Sequence, residues 1–424
     1  MAIMVGIEGN DLIADLDAFL AARGAELIEF RRDLHAHPEP GNGEFRTTRL
    51  VAERLTAAGL RPVVLPRGTG LLADVGPVHG KPDHPERTVV ALRADIDALP
   101  VADEKEVPYR STVPGVCHAC GHDVHTAVLL GTALFLAEQA RAGLLPGRAR
   151  LIFQPAEEIS TGAQDVIDAG GLASVGRIFA LHCDPRLDVG NVGVRSGAIT
   201  AACDKIKVTV TGPGGHTARP HLTADVVYAL GKIVTELPAA LSRRVDPRSG
   251  LSLVWGRINA GSVANAIPDK GIAEGTVRCL DDEVWHSAAG LVEELVRSVA
   301  AAYQVTADLE YLRDVPPTVN EETSAAMFAA AAASVLGPDA VTHTPQSLGG
   351  EDFAWYLSSV PGAMARLGTR TPGAMASYDL HQATFDVDER AIGVGVRALA
   401  AAALTALWRQ GSAITATMPE TAIQ

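Results

Sequence analysis

Residues 117–158 read CHACGHDVHTAVLLGTALFLAEQARAGLLPGRARLIFQPAEE. The apolar middle, His125 to Ala142, has helical spacing, and Arg150 to Gln154 is a short apolar run of strand length. Leu71 to Val75 and Thr88 to Ala94 read as further strands, and Arg46 to Ala58 as a further helix. Short strands alternating with helices predict βαβ units and a parallel or mixed sheet. The beginning of the chain is helical, with a second helical stretch from Glu26 to about His35.

The texture changes near Asp204. From there the order becomes strand (Lys205 to Thr211), helix (Ala224 to Ser242), two strands (Leu251 to Ala260, Gly271 to Cys279), helix (Asp282 to Ala302) and strand (Thr306 to Leu312). This β-α-β-β-α-β order is the ferredoxin-like pattern. It would close a layer of its own, so the flanking segments read as one interrupted α/β domain. The expected organisation is a mixed-sheet catalytic domain in two parts, residues 1–203 and 315–424, with an inserted ferredoxin-like domain at 204–314. Lys205–Thr211 or Leu251–Ala260 at an edge of that layer would invite pairing with a second chain. Two Ala-rich helices, Glu322 to Leu336 and Glu389 to Trp408, complete the second part.

At roughly 150 residues per domain, the 424 residues predict two to three domains. A net charge of −14 repels nucleic acid and anionic membrane, so neither is an expected partner. The longest apolar runs, Thr126 to Ala137 and Ala325 to Leu336, fall short of the roughly 18 residues of a membrane span. Glu8, Asp11, Asp15 and Asp17 stand where a signal peptide would be apolar, and five cysteines suit a reducing compartment. The expected location is the cytoplasm.

Three histidines and two cysteines fall within residues 117–125. Thiolate, imidazole and carboxylate together suit zinc, manganese, cobalt or nickel. A redox pair at Cys117 and Cys120 is the alternative, and it would leave the histidines idle. Glu157 and Glu158 follow the strand Arg150 to Phe153, at the strand end where open α/β sheets place their sites. One can hold a metal while the other takes a proton from water. His182 ends another apolar stretch, and His381 lies near the C-terminus. On the inserted segment, Gly212 to His216 is a glycine-rich turn, and Asn265 and Arg278 could offer an amide and a guanidinium to a carboxylate.

Seven motifs then stand in one order: His35-x-x-Pro38, Arg93 to Pro100, His118 to Asp123, Phe153 to Glu158, Gly214 to Thr217, Asn265 to Pro268, and Gly350 to Phe353. Over about residues 30 to 400 the chain resembles the M20 metallopeptidases, and especially their amidohydrolase branch of hippurate, N-acyl-amino-acid and auxin-conjugate hydrolases. The resemblance implies two divalent metal ions per subunit, manganese or zinc first and cobalt or nickel next. The implied ligands are Cys120, in the bridging position, His122, Glu158, His182 and His381. Glu157 matches the general base. Arg93 occupies a position that is a histidine ligand in other branches, which puts Asp95 behind the ligands. The inserted domain resembles a lid or dimerisation domain, His216 a histidine that reaches the neighbouring subunit's site, and Asn265 and Arg278 contacts to a substrate carboxylate. Two departures lie near the centre: Ile159 to Ala163 replaces a Gly-Pro-rich segment, and Cys117 stands where Met is frequent.

The expected protein is therefore a homodimeric, metal-dependent amidohydrolase that cleaves N-acyl amino acids or similar small amides with Glu157 as base and His216 as oxyanion donor. The alternatives are a dipeptidase of the same family, a non-catalytic metal-binding scaffold and a thiol redox protein.

Overall fold

In the computed structural model, which describes residues 9–77, 89–374 and 378–415, the expected strands of the first half are present. Leu71–Val75, Val89–Asp95, Arg148–Gln154 and Val175–Asp188 belong to an eight-stranded sheet. The expected strand at 88–94 is observed as Val89–Asp95, and Thr88 lies outside the described residues. Across the sheet the order is Val63–Val64, Leu71–Val75, Arg148–Gln154, Val89–Asp95, Val175–Asp188, Gly362–Arg370, Val192–Val194 and Val341–His343. Val89–Asp95 runs parallel to both neighbours and Gly362–Arg370 parallel to Val175–Asp188, whereas Leu71–Val75 is antiparallel to Arg148–Gln154. The sheet is mixed. Its central strands are almost wholly buried, which is why they read as continuous apolar runs.

The contacts divide the chain into two compact units. One is made by the described residues up to Gly197, by Asn320–Pro345 and by those from Trp355 on; the other is Ala198–Val319 with Gln346–Ala354. In the first unit, helices Gly9–Ala36, His122–Arg141, Glu322–Leu336 and Arg390–Thr415 pack on one another and close a single apolar core. The two helical stretches expected at the start form one continuous helix, because nothing between them breaks the backbone. The apolar stretch Arg390–Arg409 is long and apolar enough to cross a membrane by length and composition, contrary to the expectation, but 72% of its most apolar window is buried. It serves as a core helix, and its alanines let it approach Glu322–Leu336 and His122–Arg141 closely.

The second unit runs strand Ala202–Thr211, helix Val226–Arg244, strands Ser252–Ala260 and Lys270–Cys279, helix Asp282–Ala302 and strand Thr306–Val315. The four strands form an antiparallel sheet in the order Ser252–Ala260, Lys270–Cys279, Ala202–Thr211, Thr306–Val315. Ala202–Thr211 is thus interior, so of the two strands considered for an edge only Ser252–Ala260 occupies one. Asp225 and Asp281 cap the two helices by accepting from the N–H groups of Tyr228 and Val284. Asp204, fully buried, accepts from Trp285 Nε1 at 2.9 Å and Tyr311 Oη at 2.8 Å.

Candidate metal centre

Three parallel strands of the first unit deliver acidic residues or histidine toward one place. Arg148–Gln154 leads into Glu157 and Glu158, Val89–Asp95 ends on Asp95 with Asp97 two residues on, and Val175–Asp188 carries His182. The fourth contributor is the N-terminus of helix His122–Arg141. Gly121 there has φ +88°, and a Cβ on it would lie 2.8 Å from Cys183 Sγ, so the segment that presents Cys120 and His122 requires glycine. The fifth is His381, itself left-handed at φ +66°, whose N–H donates to the Ala119 carbonyl at 2.8 Å. That bond joins the His381 turn to the segment holding Cys120.

All five expected ligands converge. Cys120, His122 and His182 form one group of donors within 4.8 Å of one another, and Cys120, Glu158 and His381 form a second. Cys120 is common to both. Its Sγ is 3.6 Å from His182 Nε2, and Glu158 Oε1 is 3.8 Å from His122 Nε2 and 3.7 Å from His381 Nε2. Glu157 Oε2 is 4.0 Å from His122 Nε2. Buried polar atoms without a hydrogen-bond partner are rare in folded proteins. Two of them occur here, His122 Nε2 and Glu158 Oε1. The donor set and these two atoms fit a divalent transition metal.

The remaining nitrogens of His122 and His182 are fixed from behind. His122 Nδ1 sits 3.0 Å from the Asp97 carbonyl oxygen and 3.1 Å from its carboxylate, and His182 Nδ1 lies 2.8 Å from the Cys183 carbonyl. Both therefore carry the proton on Nδ1 and turn Nε2 inward. His125, one helical turn beyond His122, differs. Its Nε2 accepts the Cys183 N–H at 2.8 Å and its Nδ1 donates to Asp95 at 2.5 Å, so both nitrogens are taken and it supports the site without facing it. Asp95 also receives Arg93 at 2.7 Å, while Arg93 Nε and Tyr356 Oη both donate to Gln154.

Burial opposes ionisation of Asp95, but Arg93, His122 and His125 outweigh it and hold its pKa well below the carboxylate range. Burial lowers His182, with Arg366 adding to the effect, and it lowers the half-exposed His381, which keeps both imidazoles neutral. Glu158 is pushed up to about 7 by burial, with His122 pulling down and Asp97 and Asp95 pushing up. The Cys120 thiol is raised by burial and by Glu158. A bound cation reverses both preferences, because ligands bind deprotonated.

Asp97 and His125 carry much of this geometry; the sequence reading gave Asp97 no role and counted His125 only within the histidine–cysteine cluster taken for a metal site, where both its nitrogens are in fact occupied. Asp97 had a signal: in an extended strand exit it lies on the same side as Asp95. In the second unit, His216 and Asn265 come together on a small ribbon in which Gly215–His216 pairs with Ala266–Ile267, and Thr217 N–H donates to the Asn265 carbonyl at 3.3 Å. His216 is exposed, and its Nδ1 accepts the Ala218 N–H at 3.1 Å, which leaves Nε2 as its donor. Arg278 donates to the Leu348 carbonyl at 2.5 Å.

Residues 91–405 match the profile of peptidase family M20/M25/M40. The chain belongs to that family. A longer protein of Rhodococcus jostii (strain RHA1), which carries a provisional glutamate–cysteine ligase 2-3 name, is 49% identical over 89% of this chain. The chain spans about half of that relative's length, 46%. The N-acetyl-L-cysteine deacetylase of Bacillus subtilis (strain 168) is 38% identical over 91% of this chain and 90% of its own. Among solved structures, the YXEP protein of Bacillus subtilis, described as a dinuclear metal-binding peptidase of the M20 family, superposes with a TM-score of 0.80. It is 33% identical, over 92% of this chain and 99% of that one. Family membership makes the chain a hydrolase with a mixed-sheet M20 fold.

Proposed function

We propose that this M20 hydrolase is a two-metal amidohydrolase that cleaves N-acyl amino acids or similar small amides. The observation that carries the reading is Cys120, which belongs to two groups of three donors at once, so that together with His122, His182, Glu158 and His381 it would hold two divalent ions. Bound divalent metal supplies polarisation of an amide carbonyl and lowers the pKa of water. Glu157, grouped with His122 and Glu158 but outside the two groups that share Cys120, takes the proton of the attacking water and delivers it to the leaving amine. His216, with Nδ1 occupied as an acceptor, offers Nε2–H to the developing oxyanion. Asn265 and Arg278 bind the substrate carboxylate.

In this reading the second unit is a ferredoxin-like lid and dimerisation domain inserted at 204–314 between catalytic parts 1–203 and 315–424. The edge strand Ser252–Ala260, with Val254 and Ile258 exposed, pairs with a second copy and lets His216 serve the partner's site. Manganese or zinc is the expected metal, with cobalt and nickel as substitutes, and the cytoplasm the expected location. The test is amine release from N-acetyl, N-benzoyl and indole-acyl amino acids and from dipeptides by protein stripped of metal and reloaded with each ion. Hydrolysis should vanish on stripping and return on loading. Full activity after verified metal removal refutes the metal mechanism, and preference for substrates with a free α-amino group makes the enzyme a dipeptidase.

A further inference from the structure

Consecutive side chains of an extended chain point to opposite faces. Glu157 and Glu158 do not, since a carboxylate oxygen of each lies within 4.0 Å of the same His122 Nε2. The backbone before them makes this possible. Ala156 is fully buried and left-handed, at φ +54°, a conformation that alanine adopts only when its surroundings impose it. After it the chain curls into a turn, in which the Ser160 N–H donates to the Glu157 carbonyl at 2.7 Å and those of Thr161 and Gly162 to the Ala156 carbonyl at 3.2 Å.

Two carboxylates from elsewhere in the fold grip the amides on either side of Glu157. Asp97 Oδ2 accepts the Glu158 N–H at 3.0 Å, and Glu44 Oε1 accepts the Ala156 N–H at 2.8 Å. Asp97 also holds a ligand histidine, so its duties are mixed. Glu44 holds no ligand candidate; its other hydrogen bonds are local, to its own backbone and that of Asn42. It stands directly before helix Phe45–Ala57, where an acidic side chain ordinarily turns to its own helix's free N–H groups, yet it makes no such cap. Its carboxyl is buried, its Oε2 has no hydrogen-bond partner, and burial pushes its pKa up to about 7. A buried acid that forgoes its helix's first turn and reaches across the fold to a distant amide is costly for stability alone.

We propose that Glu44 is a positioning residue, whose hydrogen bond to the Ala156 N–H holds the left-handed turn that aims Glu157 at the site. This rests on the reading of Glu157 as the base. The pair of Glu44 and Ala156 sets the direction of the base, and metal binding is left to Glu158 and the other donors.

The test uses metal-loaded, full-length protein and the best substrate of the panel above. Glu44→Gln keeps an acceptor oxygen, Glu44→Asp withdraws it by one methylene, and Glu44→Met removes it at similar volume. The Asp and Met variants should lose about 10- to 100-fold in kcat, with KM within about twofold and metal content unchanged, while Glu44→Gln stays within about threefold of wild type. Adding Ala156→Gly to Glu44→Met should restore most of the loss, because glycine enters the left-handed region freely. Independently of activity, amide exchange of a peptide covering residues 155–162 should quicken in the Asp and Met variants and stay slow in Glu44→Gln. Should Glu44→Met fail to fold, Glu44→Asp decides both measurements. Unchanged kcat and exchange, loss of metal instead of turnover, or a double variant no better than Glu44→Met would each overturn the proposal. Activity that survives Glu157→Gln would instead overturn the reading of Glu157 as base, and the exchange data would still report whether Glu44 holds the turn.

Discussion

Replacing Gly121 by alanine measures how tightly the segment that presents Cys120 and His122 is seated. Two costs arise. At φ +88° an alanine is strained by about 1–2 kcal/mol. Its Cβ would also lie 2.8 Å from Cys183 Sγ and 3.0 Å from Cys183 Cβ. Cys183 is fully buried and its N–H is held by His125, so it has little room to retreat, and overpacking of this kind costs about 1–3 kcal/mol. Gly170, in the same unit, isolates the first cost: its φ is +80° and nothing lies within 4 Å of its Cβ position. In urea unfolding of metal-free protein at unchanged m-value, Gly121→Ala should therefore be about 1–3 kcal/mol more destabilising than Gly170→Ala. Because Cys183 adjoins His182 and is bonded to His125, its displacement should also weaken metal affinity by about 10- to 100-fold, read by titration calorimetry. Adding Cys183→Ala, which removes the Sγ, should recover much of both losses. Equal unfolding midpoints for the two glycine variants would refute the close-packing reasoning.

The neighbouring glutamates should separate cleanly: Glu157→Gln should keep its metal and lose roughly 10²–10⁴-fold in turnover, whereas Glu158→Gln should lose metal first. Equal metal loss by elemental analysis would show that the roles are wrongly divided. Glu321 caps helix Glu322–Leu336; burial opposes its ionisation, but hydrogen bonds from Ser324, Thr323 and Arg177 bring its pKa down from 4.5 to about 2. A depressed folded-state pKa stabilises above the unfolded value and is lost as pH falls through the folded one. Glu321→Ala should thus be less stable than wild type at pH 7, and the gap should close between about pH 4.5 and 2 in acid-unfolding profiles; a gap independent of pH would contradict this. Finally, mixing His216→Ala with Glu157→Gln protein should restore partial activity in hybrid dimers. With subunit exchange verified by mass spectrometry, no recovery would keep His216 out of the partner's site.

Local chemistry made most of the elements legible. The strand Leu71–Val75 and helices Asp282–Ala302 and Glu322–Leu336 match their sequence patterns to the residue, because apolar periodicity, caps and flanking polar residues agree there. The donors Cys120, His122, Glu158, His182 and His381 were legible as chemistry, and their convergence depends on how the sheet strands are ordered, which no short window records. Glu44 was not legible at all, since it bonds a residue 112 positions away and looks locally like an ordinary acid before a helix. The helix expected over Glu389–Trp408 continues to Thr415, an extension that was not legible because the apolar run ends at Trp408 and Arg409, Gln410 and Gly411 follow it.

The position of that helix also bears on how the protein is made. Arg390–Thr415 follows every other described element in the chain, yet it packs against helices and strands from all parts of the first unit. On a ribosome supplying about 5–20 residues per second, His122 and Glu158 would wait tens of seconds for His381 and this helix to emerge. The second unit draws its four strands and two helices from an almost continuous segment and can consolidate meanwhile. Nascent first unit is thus an open sheet with unshielded apolar surface and four of the five proposed metal donors, lacking only His381, a species suited to chaperone capture and to completing its donor set only as the last helix docks.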